Sequence, residues 1–230
     1  MTDMTVFSGF TKETVRFFEG LGRNNTREWF AAHKEAYDGN VMEPAKAFVV
    51  AMGVKLRTAV PRIVAVPQVN KSIFRLNRDT RFSQDPTPYK TNLGLYFWEG
   101  TVKMESPGFY FHLEPPDLYI GGGVYMFSNS LLARYRRAAA DPGLGRELGK
   151  IVTELTKREG YEIGGKHYKR VPAGYAADSP NAELLKHNGL HAGCEIKIPA
   201  EFFSDRLVDS CFERYEPLFP LHRWLMKLTR

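Results

Sequence analysis

The stretch Asn92–Tyr125, NLGLYFWEGTVKMESPGFYFHLEPPDLYIGGGVY, decides the fold. Three apolar, β-branched and aromatic runs read as strands: Asn92–Trp98, then GFYFHL at 108–113, then LYIGGGVY at 118–125. Glu99-Gly100 begins one turn and Pro115-Pro116-Asp117 marks another, because proline and glycine punctuate a chain where it must reverse. Consecutive strands with short connections form antiparallel sheets, whereas parallel ones need helical crossovers. On the middle run Tyr110 and His112 share a face by the two-residue period of a strand. Gly121–Gly123 lacks the spacing of a phosphate-binding loop and reads as a bulge or a close backbone approach.

Helical patterns lie on both sides. Thr11 can cap a helix with Val15, Phe17, Phe18 and Leu21 on its apolar side, ended by Gly22. Asn25 followed by Glu28 resembles a capping box that opens a second helix. A third runs from Glu43-Pro44 to Val60, with Phe48, Met52 and Leu56 at four-residue spacing. These aromatics belong to a core; Trp29, set between Arg27 and His33–Lys34, is the one held apart from it. Downstream, Ser128 caps a helix through Ala140, and Asp141-Pro142 opens another that ends at Gly160. YEIGGKHYKR at 161–170 reads as a hairpin around Gly164-Gly165, and Ser179-Pro180 as the start of a short helix closed by Gly189. Gly193–Ile198 is a further strand, and Glu201–Tyr215 and Leu218–Thr229 are closing helices. The fold class is α+β: one domain over residues 1–230, with an antiparallel sheet of four to six strands packed with N-terminal and C-terminal helices.

Between the first helices and the sheet stands a segment of another kind, Arg75–Asn92, RLNRDTRFSQDPTPYKTN. A strand at 66–77 leads into it. Arg75, Arg78, Arg81 and Lys90, with Lys71 just before, crowd against Asp79 and Asp85, with Phe82 and Tyr89 adding aromatic surface. A core cannot hold such charges unpaired. The segment is an ordered polar loop whose charges face each other or a ligand.

Composition limits the partners. The net charge of +6 over 230 residues permits binding to a polyanion without demanding it, since the basic residues form no tail or stripe. Cys194 and Cys211 are too few and too far apart for a disulfide framework or zinc, which points to a reducing cytoplasm. The start MTDMTVFSGF shows no signal peptide, and no run is apolar enough to span a membrane. His187 and His191 lack the glutamate of an HExxH motif, and with Gly189 ending a helix between them their rings need not share a face. No GxSxG or nucleotide fingerprint appears. No metal and no cofactor is expected.

The charged segment resembles the signature of the DUF2461 family, an RxxRDxRFxxx[DN]KxxY pattern followed by Lys and Thr. Arg75, Arg78, Asp79, Arg81, Phe82, Asp85, Tyr89, Lys90 and Thr91 match it, and Pro86 stands where the pattern has lysine. The similarity extends to NNTREWF at 24–30, PGFYFHL at 107–113, PAGY at 172–175 and LHRWL at 221–225. It implies a chain of this length and no particular reaction.

Two functions remain. In the first, Arg75, Arg78, Arg81 and Lys90 hold a small phosphate- or carboxylate-bearing ligand, because guanidinium groups suit bidentate contact with such anions. Asp79 and Asp85 then orient the arginines, Tyr89 or Tyr110 supplies a hydroxyl, and His112 exchanges protons. In the second, aromatics interleaved with arginines serve a nucleic-acid-associated module. Against both stands a structural ion-pair network that pins a long loop.

Overall fold

A computed structural model describes residues 6–81 and 83–229; Phe82 lies outside the described residues. Five strands form one antiparallel sheet in the order β1-β2-β3-β5-β4. They are β1 (Leu93–Trp98), β2 (Gly108–Glu114), β3 (Asp117–Val124), β4 (Tyr161–Lys166) and β5 (His187–Lys197). Helices precede, interrupt and follow the sheet, as an α+β fold requires.

The chain separates into two compact units. The first comprises Met1–Phe97, Tyr110–Tyr119 and Ile196–Glu213. It holds α1 (Lys12–Arg23), α2 (Arg27–Ala32), α3 (Lys34–Tyr37), α4 (Glu43–Arg57) and α7 (Leu207–Tyr215), the last extending past its boundary. Thr11 caps α1 through a reciprocal box with Thr14. Phe10 anchors its core, with ring centroids 4.9 Å from Phe202, 5.8 Å from Phe48 and 6.0 Å from Phe111. Side chains of this size each contribute about 1.5–3 kcal/mol when fully buried.

The second unit comprises Trp98–Phe109, Ile120–Glu195 and Arg214–Arg230. It carries α5 (Asn129–Ala140), capped by Ser128, together with α6 (Leu144–Thr156) and α8 (Phe219–Met226). Its core joins Tyr135 to Trp224 and Phe109 to Tyr215 and Phe219. Gly121–Gly123 is buried inside β3. At Gly123 the backbone has φ +134°, and a Cβ would lie 2.3 Å from the Leu190 carbonyl, so the run marks close strand approach.

Several local expectations are corrected. Residues 66–77 form no continuous strand; Ile73 and Asn77 make isolated antiparallel bridges to Leu95 and Tyr89. The expected hairpin at 161–170 is a single strand, β4, whose partner is β5, with Tyr161 opposite Cys194 and Gly164 opposite His191. Gly165 adopts φ +97° and would clash through a Cβ with the Gly189 carbonyl, so these glycines serve strand approach and a register shift. The helix expected after Pro180 shrinks to a 3-10 turn at Leu184–Lys186, and Gly189 lies within β5. His187 and His191 therefore lie on one strand, with the register shift between β4 and β5 falling between them. The closing helices are shorter, with 3-10 turns at Ala200–Phe203 and Glu216–Leu218. Asn25 does not cap α2; Thr26 does, accepting from the Trp29 amide at 3.1 Å.

Candidate functional site

The charged segment folds as a long irregular hairpin. The Phe74 amide donates to the Gly94 carbonyl at 3.0 Å, Lys90 to Leu76 at 2.9 Å, and Arg78 to Pro88 at 2.9 Å. Asn25 fastens the returning arm: its side-chain amide donates to the Tyr89 carbonyl at 2.9 Å and accepts from the Tyr89 amide at 3.1 Å. The Tyr89 ring is buried against Phe30, with centroids 4.5 Å apart, so this aromatic belongs to packing with α2.

At the hairpin tip most charges satisfy each other. The Arg78 guanidinium donates to Asp85, to the Thr87 hydroxyl, to the Thr87 carbonyl at 3.1 Å and to Ser83 at 3.4 Å. Asp85 also accepts from the Thr87 amide at 3.0 Å, and these bonds, the Thr87 ones foremost, hold its carboxyl below the ordinary range. Arg81 grips Asp79 with both arms of its fork, at 2.9 and 2.8 Å. That charge-assisted pairing lowers the Asp79 carboxyl to about 2. Both pairs are internal to the loop, as an ion-pair network requires. Pro86 lies exposed at the same tip.

The base of the hairpin differs. Among the described residues neither Arg75 nor Lys90 has an ion-pair partner. Lys90 is half-buried, with its ammonium 5.7 Å from the centre of the Phe74 ring. Burial first and the charge of Arg75 second push its pKa down. The exposed Arg75 also lowers the Asp79 carboxyl, as the weakest of the causes that do so.

Beside Lys90, β2 presents a hydrogen-bonded row. Its alternation buries Phe109, Phe111 and Leu113 completely and leaves Tyr110, His112 and Glu114 on the opposite face. The Tyr110 hydroxyl lies 2.8 Å from His112 Nδ1, and His112 Nε2 lies 3.3 Å from Glu114 Oε2. Thr91, next to Lys90, donates its hydroxyl to Glu114 Oε1 at 2.8 Å. When the imidazole is neutral, Nε2–H donates to Glu114 and Nδ1 is left to accept from the phenol. Phe74 meets the Tyr110 ring edge-on at 6.0 Å, joining this row to Lys90. Gly94 makes room, because a Cβ there would sit 2.8 Å from the Tyr110 hydroxyl and 3.2 Å from Phe74.

The structure thus links Lys90 to Tyr110 through the Phe74 ring and Tyr110 to His112 by a hydrogen bond, and at the hairpin tip it pairs Arg78 with Asp85 and Arg81 with Asp79. Sequence reasoning missed Glu114, Thr91 and Asn25. The two-residue period pointed to Glu114, one position past the end assigned to its strand. Among the described residues no group of three or more His, Cys, Asp or Glu side chains is placed to hold a metal. No described helix is long and apolar enough to cross a membrane.

A family model described as a conserved hypothetical protein (DUF2461) matches residues 13–224, nearly the whole chain. No curated protein matches it.

Proposed function

The chain belongs to the DUF2461 family, and within that frame we propose that it binds a small phosphate- or carboxylate-bearing ligand at Arg75 and Lys90. One observation carries the reading. Lys90, half-buried with its ammonium against the Phe74 ring, has no carboxylate partner among the described residues, and Arg75 adds a second positive charge near it. Structural arginines are placed as Arg78 and Arg81 are, against their own loop's acids. A half-buried ammonium beside a second, exposed cation is stabilised by an anion that bridges the two. Tyr110 adds a hydroxyl and His112 a proton-exchanging ring, so the site supports acid–base work on what it binds.

A thermal-shift panel tests the reading with inorganic phosphate, phosphorylated metabolites, carboxylates and short oligonucleotides. A ligand at one hundred times its dissociation constant stabilises by about 2.7 kcal/mol. The expected result is a shift with one class of small anion that persists in salt and disappears in Lys90→Met. A shift with oligonucleotides alone, fading steeply as salt rises, overturns it in favour of a nucleic-acid-associated module.

A further inference from the structure

We infer that Tyr110 is a nucleophile, activated by His112 and positioned through Glu114, that takes a phosphoryl group from a phosphate ester held at Arg75 and Lys90. The inference deepens the anion-binding reading and rests on it for the substrate class. Its own foundation is the row on β2. A phenol, an imidazole and a carboxylate follow at every second residue, linked at 2.8 and 3.3 Å, with Thr91 closing the far end.

This is the arrangement a weak nucleophile needs: a base within hydrogen-bond reach, itself oriented by a third group. Glu114 accepts from Nε2 and so leaves Nδ1 as the acceptor facing the phenol; it is a positioning residue. Tyr110 keeps part of its surface exposed. The local charge favours a phosphate ester over a lone carboxylate, since Arg75 and Lys90 together match a dianion.

The step balances without any further reactant. Tyr110 Oη forms a bond to phosphorus as the ester P–O bond breaks. The phenolic proton passes to His112 Nδ1, and the departing oxygen takes it from the imidazolium. A phosphotyrosyl intermediate and an alcohol result.

An arylsulfonyl fluoride tests this directly, because its tetrahedral sulfur resembles the phosphorus centre. The Oη–S bond forms, the S–F bond breaks, fluoride leaves and His112 takes the proton. Whole protein is treated at neutral pH and the adducts are mapped by mass spectrometry, with Tyr125, 73% exposed, as the internal reference. Tyr110 is expected to react about a hundredfold faster than Tyr125, in line with general-base assistance. His112→Phe removes that advantage, and Glu114→Gln reduces it while Glu114→Asp restores part of it. Imidazole 15N spectra of the wild type show the Nε2–H tautomer that the hydrogen bond to Glu114 imposes. Unchanged circular dichroism in each variant keeps the comparison valid, and Tyr110→Phe confirms the adduct's position. Inorganic phosphate protects Tyr110 in wild type and not in Lys90→Met.

Modification of Tyr110 no faster than Tyr125, or undiminished in His112→Phe, overturns the nucleophile. Fast, His112-dependent modification that phosphate does not slow overturns the phosphate ester as substrate and, separately, the anion site.

Discussion

Asn25 and Tyr89 are joined by a two-way clasp, side-chain amide to backbone N–H and C=O, at 3.1 and 2.9 Å. The residues lie 64 positions apart, so the clasp fixes the returning arm of the charged hairpin to the start of α2. Lys90 and Thr91 follow immediately, and their positions depend on it. Asn25→Ala leaves both Tyr89 backbone groups without their partner, at a cost of about 1–3 kcal/mol. Urea denaturation is expected to show that loss, and anion-induced stabilisation is expected to weaken with it.

Gly94→Ala attacks the site from below. Its methyl would stand 2.8 Å from the Tyr110 hydroxyl and 3.2 Å from Phe74, inside ordinary contact. The ring must move, and overpacking of this kind costs about 1–3 kcal/mol. The hydrogen bond between Tyr110 and His112 is expected to break. A shift of the His112 imidazole resonances, against unchanged resonances for His222, reads that out.

At the hairpin tip Arg78 and Arg81 are expected to behave differently. Arg81 and Asp79 are well exposed, so Arg81→Ala is expected to change stability little. It lets the Asp79 carboxyl rise from about 2 toward its ordinary value. Arg78 binds four acceptors from three residues of the tip, and Arg78→Ala is expected to cost more and to loosen residues 83–87. The sign for Asp79 follows from linkage: its folded pKa is depressed, so its contribution is present above the unfolded value near 4 and fades as pH falls toward 2. A carboxyl titration by NMR in wild type and Arg81→Ala checks it.

Three histidines set a second pH dependence. Burial pushes the pKa values of His187, His191 and His222 down, and His222 sits in the second unit with Nε2 2.9 Å from Glu99. Each folded value lies below the unfolded one near 6.5. The unfolded chain therefore takes up protons first, and stability falls as pH drops from 7 toward 5. His222→Gln keeps a donor for Glu99 and removes one titrating ring. Its urea midpoint is expected to depend less on pH than that of the wild type.

The residues show what sequence could and could not reveal. Alternation and turn residues located β1, β2 and β3, and local capping located α1 and α5, because those signals act within a few positions. Gly164-Gly165 misled, since two glycines can equally mark a turn or a place where another backbone approaches, and here Gly189 approaches. Partner choice over that distance is not written locally. The same limit applied at the site. The density of charge in 75–92 was plain, and Tyr110 and His112 shared a face by period alone. Which arginines were already paired depended on how the tip folds back, and the sequence treated Arg78, Arg81 and Lys90 alike. The clasp of Asn25 was hidden because Thr26, one residue on, is the better cap in the folded geometry.

Titration calorimetry with inorganic phosphate on Lys90→Met and Arg81→Ala, beside wild type, tests the anion site most directly. Wild type is expected to bind, Arg81→Ala to bind much as the wild type does because Arg81 is taken up by Asp79, and Lys90→Met to give no heat of binding. Binding that vanishes in Arg81→Ala and survives in Lys90→Met would contradict the assignment, and place the anion at the hairpin tip.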